Sequence, residues 1–308
     1  MQIAVFFVGE VHDAGFNASA LAGAEAAYNL AEISIISGVR YDQDAIRERL
    51  CEVVPQVDGL VFIGGQGNIT TPEIASAFPG KMFALVQGHS TGPNLASYDV
   101  RQEDSAFLAG VLAADLTKTG IVGHLSGHRV PPGLKGRAAF AAGVAHANPQ
   151  VRVLTGFCGT QDDSLVTHDW AAAELAAGAD IIFTMLNDAR SGAIQACRTG
   201  GARQIGNALD WVNVDPEVFV ASAIARIDLA VHRAIADMAE RITPDAVVQF
   251  GLADGDFVAL SMEAGVPART RAKVAEAAEG IRTGQIIVPE TYKGPEFQPE
   301  GVQCVTES

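Results

Sequence analysis

The sequence has few charged residues, few aromatic residues and no long hydrophobic run. Charged residues make up 19% of the 308 residues, aromatic residues 6% and hydrophobic residues 48%. This composition excludes intrinsic disorder, which requires a low apolar content and a high charge density. The longest apolar runs, such as Leu60–Ile63, are far shorter than the roughly 18 residues that a membrane-spanning helix needs. The chain is therefore predicted to form a buried core and not to span a membrane.

Basic residues are scarce as well. Lys and Arg total 21 and Asp and Glu total 36, which gives a formal net charge of −15 at pH 7. A surface with this balance repels phosphate groups, so we expect no binding of nucleic acid or of anionic membranes.

Cysteine is rare, and the common motifs of metal, cofactor and catalytic sites are missing. The chain has four cysteines, Cys51, Cys158, Cys197 and Cys304. None of them forms a CxxC pair, and their spacing does not match a disulfide framework, so free and mostly buried thiols are expected. The sequence contains no Walker A loop and no GxGxxG, GxSxG or HExxH motif. We therefore predict no metal, no cofactor and no catalytic residues, and interpret the chain as a protein that is not an enzyme.

Short β-branched runs alternate with Ala-rich stretches, a pattern typical of βαβ units and a parallel sheet. Strands are predicted over residues 2–8, 32–37, 59–63, 82–86, 120–124, 151–156, 180–184, 203–207, 217–221 and 246–251, with 257–261 as the hairpin partner of the last. Helices are predicted over residues 17–30, 43–53, 71–77, 103–116, 134–147, 166–177, 190–199, 223–241 and 268–283. A pause after Leu116 favours two doubly wound α/β lobes over one large sheet.

The first predicted strand-to-helix turn carries the most informative side chains. Asp13, Phe16 and Asn17 follow the first strand, at the carboxyl edge where open α/β sheets bind ligands. Phe16 offers an aromatic platform and Asp13 a carboxylate acceptor to a small planar ligand. In the structural alternative, Asn17 caps the helix and Phe16 packs against it as a staple. Gly64–Asn68 is interpreted as a tight turn or as a backbone segment that approaches a ligand closely.

Two strands of the second lobe end in similar residues. Asn187 follows strand 180–184, and Asp210 and Trp211 follow strand 203–207. Because these are again carboxyl ends of strands, all three are predicted to bind the ligand. Asp210 and Trp211 combine a hydrogen-bonding carboxylate with one of only two tryptophans. The alternative is a capped turn in which the tryptophan packs between the lobes.

Five segments stand in order along nearly the whole chain: Asp13–Gly23, Arg101–Ala114, Thr117–Gly120, Gly178–Phe183 and Gly284–Pro289. They are similar to the D-x-S-F-N signature, the E-x-x-F/Y-L-A-G helix, the TKTG turn, the GAD strand and the G-x-I-x-V-P ending of the BMP/PnrA-like family. This family (the basic membrane protein family) consists of ABC-transporter substrate-binding proteins for nucleosides and purines.

The resemblance implies a type I periplasmic-binding-protein fold with two Rossmann-like lobes, a three-stranded hinge and a ligand cleft between the lobes. On this basis residues 1–117 and 223–246 form the N-terminal lobe, and residues 118–222 and 247–308 the C-terminal lobe. By position, Asp104 joins Asp13, Phe16 and Asn17 as a ligand-binding residue of the first lobe, and Asp210 is its counterpart in the second.

Three departures from the family pattern change the expected ligand. Ala225 stands where the nucleoside binders carry a lysine, Leu186–Gly192 replaces a G-G-T-G turn, and Gly206–Trp211 replaces G-V-D-x-D-Q. Loss of the lysine and of the first carboxylate, with gain of an indole, favours a free base or another flat heterocycle between Phe16 and Trp211.

The resemblance thus implies a solute-binding protein that captures a purine base, a nucleoside or a similar heterocycle and closes around it. An ABC permease is the implied partner, and the implied location is periplasmic or extracytoplasmic. A strand-like run follows Met1 directly, so either an export signal has been removed or the protein is cytoplasmic. The alternatives are therefore a cytoplasmic ligand sensor of the same fold, and an enzyme acting on nucleosides, which no positioned nucleophile or base supports.

Overall fold

The computed structural model describes residues 1–299 and contains the alternating strands and helices that the sequence predicts. Its strands are β1 (Gln2–Val8), β2 (Glu32–Val39), β3 (Gly59–Ile63), β4 (Met82–Val86), β5 (Leu95–Val100), β6 (Ile121–Ser126), β7 (Arg152–Phe157), β8 (Ile181–Met185), β9 (Arg203–Ala208), β10 (Phe219–Ala225), β11 (Val248–Phe250) and β12 (Val258–Met262). Its α-helices are α1 (Phe16–Ala26), α2 (Gln43–Val53), α3 (Gly67–Ala77), α4 (Gln102–Leu116), α5 (Pro131–Ala147), α6 (Ser164–Ala176), α7 (Arg190–Gly200), α8 (Ile227–Ala239) and α9 (Ala268–Arg282).

The chain divides into two compact units. Unit 1 consists of Met1–Val100 and Arg226–Phe250, and unit 2 of Arg101–Ala225 and the chain from Gly251 onward. The predicted N-terminal lobe included residues up to 117. In the structure, α4 belongs to unit 2, because it packs against α5, α9 and β10 of that unit.

Three of the cysteines lie in the described part of the chain. Cys51 is exposed, Cys158 and Cys197 are buried, and all three are free thiols, whereas Cys304 lies outside the described residues.

Unit 1 is built on a parallel sheet with the strand order β11-β5-β4-β3-β1-β2. The interior strands β1 and β3 are almost wholly apolar and buried, as expected for strands covered on both faces. Phe6 and Phe62 stack across these strands with ring centroids 5.1 Å apart. Because all strands run in the same direction, their carboxyl ends lie along one edge of the sheet.

Unit 2 is built on a second sheet with the strand order β12-β10-β9-β8-β6-β7. Its strands are parallel except β12, which runs antiparallel to β10. The predicted hairpin between residues 246–251 and 257–261 is wrong. β11 pairs with β5 in unit 1, and β12 pairs with β10 in unit 2, so the two strands belong to different sheets.

Strand β5 was not predicted, because Ser97 and Asp99 interrupt its apolar pattern. Ser97 is nevertheless fully buried, and its hydroxyl donates a 2.6 Å hydrogen bond to the carbonyl oxygen of Ser90. The buried Tyr98 hydroxyl donates to a carboxylate oxygen of Asp237 on α8 at 2.9 Å. Hydrogen bonds of this kind, one local and one to helix α8, allow polar residues in an interior strand.

Glu174 on α6 is the least expected residue in the core of unit 2. It is fully buried, and neither of its carboxyl oxygens accepts a hydrogen bond from any residue within 1–299. Gly123 on β6 leaves room for this carboxyl group, because a Cβ at Gly123 would overlap Glu174 Oε2. Burial raises the pKa of Glu174 well above its usual value. The fold therefore favours the protonated, neutral form of this side chain.

Two glycines bring α4 and α5 into close contact. A Cβ at Gly110 would overlap the carbonyl oxygen of Phe140, and a Cβ at Gly143 would overlap the carbonyl oxygen of Phe107. The obstacle at each position is backbone, which cannot rotate away as a side chain can. These helices therefore approach at a distance that only glycine permits.

We expect Gly143→Ala to destabilise unit 2 by about 1–3 kcal/mol, the usual cost of overpacking a tight contact. Both tryptophans, Trp170 and Trp211, lie in unit 2, so denaturant unfolding followed by tryptophan fluorescence measures this unit. Gly133→Ala in the same helix is the control, because its Cβ would meet its nearest neighbour at an ordinary 3.4 Å. Equal stability of the two variants would contradict the packing argument.

Candidate functional site

The carboxyl edge of the unit 1 sheet carries the loops that the sequence singled out. In open α/β sheets this edge is the usual place for ligands. The loops after β1, β3 and β4 lie next to one another there, because β1 is adjacent to β3 and β3 to β4.

Asp13 holds the start of α1. Its carboxylate is buried and accepts hydrogen bonds from the backbone N–H groups of Gly15, Asn17 and Ala18 at 2.9–3.0 Å. A negative charge at this position also interacts favourably with the positive end of the helix dipole. The structure thus gives Asp13 a capping role, and its direct contact with a ligand stays a prediction.

Asn17 ties the loop to the end of β1. It is buried, and its Nδ2 donates to the carbonyl oxygens of Val8 and Glu10 at 2.9 Å each. The alternative in which Asn17 caps the helix is wrong, because α1 begins at Phe16 and Asp13 supplies the capping oxygens. Asn17 therefore fixes the loop that presents Phe16.

Phe16 is half-buried and is the first residue of α1. A Cβ built on Gly64, in the loop after β3, would lie 3.9 Å from Phe16 Cε1 and 2.6 Å from Gln66 Oε1. Gly64 also has a φ of +106°, which favours glycine. Because glycine has no side chain, the backbone of Gly64 can lie close to both the Gln66 side chain and the Phe16 ring at the carboxyl edge.

Three of the four non-glycine residues with a positive φ in the described part of the chain lie at or after the carboxyl ends of strands. Ala14, after β1, has a φ of 48°, Gln87, after β4, has 64°, and Ala208, the last residue of β9, has 64°. Such conformations cost about 1–3 kcal/mol each and persist where the surroundings fix them. At Gln87 the contacts that fix the conformation are side-chain hydrogen bonds to Val100. The backbone N–H of Val100 donates to Gln87 Oε1 at 2.7 Å, and the buried Gln87 Nε2 donates to the carbonyl oxygen of Val100 at 3.2 Å.

The carboxyl edge of the unit 2 sheet is held by interlocking loops. Asn187, after β8, donates its backbone N–H to Gln161 Oε1 at 3.0 Å, and Ala189 donates its N–H to the carbonyl oxygen of Gln161 at 2.9 Å. Asn187 is half-buried. The structure places it at the predicted edge, and its role toward a ligand stays a prediction.

Asp210 lies between two side-chain donors. Ser261 of β12 donates its hydroxyl to Asp210 Oδ1 at 2.6 Å, and Asn213 Nδ2 donates to Oδ2 at 2.7 Å. Asp210 as a residue is half-buried. These contacts fix the orientation of the one carboxylate in the β9 loop that matches the family pattern.

Trp211 packs within unit 2. Its ring lies 5.4 Å from the Phe219 ring, and a Cβ on Gly206 would lie only 2.6 Å from Trp211 Cδ1. The guanidinium of Arg190 stands over the indole with Cζ 4.7 Å from the ring centroid. A packing role for Trp211 is thus visible in the structure, and a stacking role toward a ligand stays a prediction.

Sequence reasoning missed Arg190, which is buried at the carboxyl ends of β8 and β9. The available signal was an arginine at the predicted start of a helix, inside the Leu186–Gly192 segment that departs from the family turn.

Asp104 lies in unit 2, not in the N-terminal lobe to which it was assigned, because α4 belongs to unit 2. The residue is 2% exposed. Its Oδ1 accepts a hydrogen bond from Arg101 Nη2, and its Oδ2 accepts one from the backbone N–H of Leu252, both at 3.3 Å. Burial raises the pKa of Asp104, although the charge of Arg101 opposes the shift. Asp104 also lines a pocket of about 200 Å³ with Asp254 and Arg282.

Neither a metal cluster nor a membrane-spanning helix is found within residues 1–299. No group of three or more His, Cys, Asp or Glu side chains there could hold a metal ion, and no helix there is both long and apolar enough to cross a bilayer.

Comparison with protein families gives a match along almost the whole chain. The model of the family described as "ABC transporter substrate-binding protein PnrA-like" matches residues 1–291. Among individual proteins, a purine-binding protein of Brucella abortus is 27% identical over 201 residues, which are 65% of this chain and 57% of that protein. The chain therefore spans little more than half the length of this relative. An uncharacterised lipoprotein of Pyrococcus horikoshii is 24% identical over 100% of this chain and 87% of its own length.

Solved structures support the predicted fold class. An ABC transporter solute-binding protein from Aeropyrum pernix superimposes with a TM-score of 0.83 at 21% identity, covering 94% of this chain and 93% of that one. A second solute-binding protein, from Conexibacter woesei, gives a TM-score of 0.71 at 20% identity, covering 95% and 100%. The two α/β units thus have the type I periplasmic-binding-protein fold, as predicted.

Proposed function

Because the chain belongs to the PnrA-like family of ABC transporter substrate-binding proteins, we propose that it binds a purine base or a similar planar heterocycle for uptake. The family consists of proteins that bind small molecules without converting them. A purine-binding relative supports this ligand class. The predicted ligand residues provide the aromatic and carboxylate groups that a purine base requires.

The observation that carries the proposal is the position of Phe16. Its half-buried ring stands at the carboxyl edge of the unit 1 sheet, at the first position of α1 and close to the backbone of Gly64 in the loop after β3. Stacking of a nucleobase on an aromatic ring contributes about 1–3 kcal/mol. Asp13 and Asn17 fix the loop from within, so the ring is ordered before the ligand arrives, which reduces the cost of binding.

We propose that the ligand is a free base rather than a nucleoside. The family's nucleoside binders carry a lysine at the position of Ala225, at the end of β10, and Ala225 is buried. An alanine methyl group offers no donor to a ribose hydroxyl. A site that lacks this donor discriminates less in favour of the sugar.

The proposal extends to location and partner. Relatives named as lipoproteins favour an extracytoplasmic protein that delivers its ligand to an ABC permease. Fractionation of cells expressing the full-length natural gene tests this. Recovery with the extracytoplasmic or membrane fraction is expected, and recovery only in the cytosol would favour a ligand sensor of the same fold.

A thermal-shift panel tests the ligand class. Adenine, guanine, hypoxanthine and xanthine are compared with their ribonucleosides and with a sugar as a negative control. A ligand present at 100 times its Kd stabilises the native state by about 2.7 kcal/mol, which raises Tm measurably. We expect at least one base to raise Tm, and a response to the sugar alone would contradict the proposal.

Asp104→Asn is expected to weaken binding of the selected base about tenfold in calorimetry. Hydrogen bonds to a charged group contribute about 1.5–3 kcal/mol, and the amide keeps an acceptor for the Leu252 N–H while losing the charge. Asp256→Asn, at an exposed position in the loop before β12, is the control and should bind as the wild type does. Unchanged affinity in Asp104→Asn would show that Asp104 is not a ligand-binding residue.

A further inference from the structure

We infer that Arg190 is a positioning residue that fixes Asn207–Trp211, the end of β9 with the turn that follows it (together called the β9 loop), in the conformation that binds the ligand. The position is unusual for an arginine. Its side chain is 1% exposed, and it is the first residue of α7, where a cation opposes the helix dipole. Burial of a guanidinium is also costly. Specific contacts must therefore hold it there.

One set of these contacts comes from the end of β8. Arg190 Nη1 donates to Thr184 Oγ1 at 2.8 Å and to the carbonyl oxygen of Thr184 at 3.2 Å, and Nη2 donates to the carbonyl oxygen of Leu186. Thr184 is itself fully buried and donates its hydroxyl to Gln204 Oε1 on β9 at 3.2 Å. The guanidinium is thus anchored in a buried polar network that joins β8 to β9.

The other set reaches the β9 loop. Arg190 Nη2 also donates to Asn207 Oδ1, and its guanidinium covers the Trp211 ring at 4.7 Å. These two contacts hold the loop at Asn207 and at Trp211, which lie on either side of Asp210 in the sequence. Ser261 and Asn213 then orient the Asp210 carboxylate itself. Arg190 therefore sets the position of the loop, and the other two residues set the direction of the carboxylate.

The same contacts connect two segments that depart from the family pattern. Leu186–Gly192 contains Arg190, and Gly206–Trp211 contains Asn207 and Trp211. The planar guanidinium is suited to this connection, because it can stack on an indole and donate in a fixed fork at the same time. A lysine has the charge but neither the plane nor the fork.

The inference rests on the proposed function, because its effect on affinity requires Asp210 to contact the ligand. A loop held before binding costs less to order when the ligand arrives. Removal of Arg190 should therefore reduce affinity without removing a group that touches the ligand, and should also loosen Trp211.

The test compares Arg190→Met and Arg190→Lys with Arg198→Met, the control. Arg198 lies on the same helix, and its side chain is half exposed and pairs with Asp215 at the surface. Calorimetry with the base selected by the panel, at a temperature where every variant is folded, should show at least tenfold weaker binding for both Arg190 variants and less than a twofold change for Arg198→Met. Wild-type affinity in Arg190→Met, or full rescue by lysine, would overturn the inference.

Acrylamide quenching of tryptophan fluorescence gives a readout that does not depend on ligand. Trp170 is buried and contributes a constant background, so greater quenching in Arg190→Met reports a loosened Trp211.

If Arg190→Met does not fold, Asn207→Ala removes the hydrogen-bond acceptor on the β9 loop. This variant must then show both weaker binding of the base and greater quenching. Absence of both in Asn207→Ala would overturn the inference. If the wild type binds no purine, the proposed function fails, whereas quenching still decides whether Arg190 holds the loop.

Discussion

Phe16→Ala is expected to weaken binding of a purine base at least tenfold, with little change in the stability of unit 1. The ring contributes stacking energy of about 1–3 kcal/mol per base, and it is half-buried at the first position of α1, so the core loses little when it is removed. Phe16→Tyr keeps the aromatic face and should retain affinity within a few-fold. Isothermal titration calorimetry with the selected base measures both.

The control for Phe16 is Tyr28→Ala. Tyr28 lies just beyond the other end of α1, and its side chain is 54% exposed, so this variant removes an aromatic ring of unit 1 away from the carboxyl edge. We expect it to bind as the wild type does. Equal losses in the two variants, or no loss in Phe16→Ala, would exclude Phe16 as the stacking platform.

Glu174→Met is expected to stabilise unit 2, by about 1–3 kcal/mol at pH 8. The carboxyl group is fully buried and accepts no hydrogen bond from the described residues, and an unsatisfied buried polar group costs about this much. Methionine is unbranched and fills irregular core space without a polar atom. Tryptophan-fluorescence unfolding, which reports unit 2, measures the effect.

The gain should depend on pH, because burial raises the pKa of Glu174 in the folded state. Below the pKa of the unfolded chain the group is protonated in both states, and the wild type suffers no charge penalty. As pH rises toward the folded-state pKa, the unfolded chain loses its proton first, and the wild type loses stability. The advantage of Glu174→Met should therefore be larger at pH 8 than at pH 4.

The exposed Glu276 on α9 provides the control for Glu174. Glu276→Met should change the unfolding free energy by less than 0.5 kcal/mol, as is usual for surface substitutions. A destabilised Glu174→Met, or a gain that is equal at the two pH values, would show that the carboxyl group has a partner in the folded protein.

Most strands and helices could be predicted because their signals are local. β1, β3 and β4 have the predicted bounds, since each is a short apolar run between turn residues. β5 was missed because Ser97 and Asp99 interrupt its apolar pattern, and because the partner of the Tyr98 hydroxyl, Asp237, is distant in the chain. The partners of β11 and β12 were also misassigned, since sequence proximity suggested a hairpin where each strand joins a different sheet.

The location of the candidate site could be predicted from the sequence, whereas the roles of several of its residues could not. The carboxyl-edge positions of Phe16 and Asp210 follow from the strand order, which the βαβ pattern implies. The capping role of Asp13 was not predicted, because three backbone N–H groups converge on it only after α1 forms. Arg190 was missed because its importance lies in contacts with Asn207 and Trp211, about twenty residues further along the chain.

The most direct test of the central claim is a calorimetric titration of the wild-type protein with a purine base and, in parallel, with its ribonucleoside. We predict a Kd in the micromolar range or tighter for at least one base, which corresponds to about −8 kcal/mol, and weaker binding of the matching nucleoside. Absence of binding heat with every base and nucleoside at millimolar concentration would contradict the account.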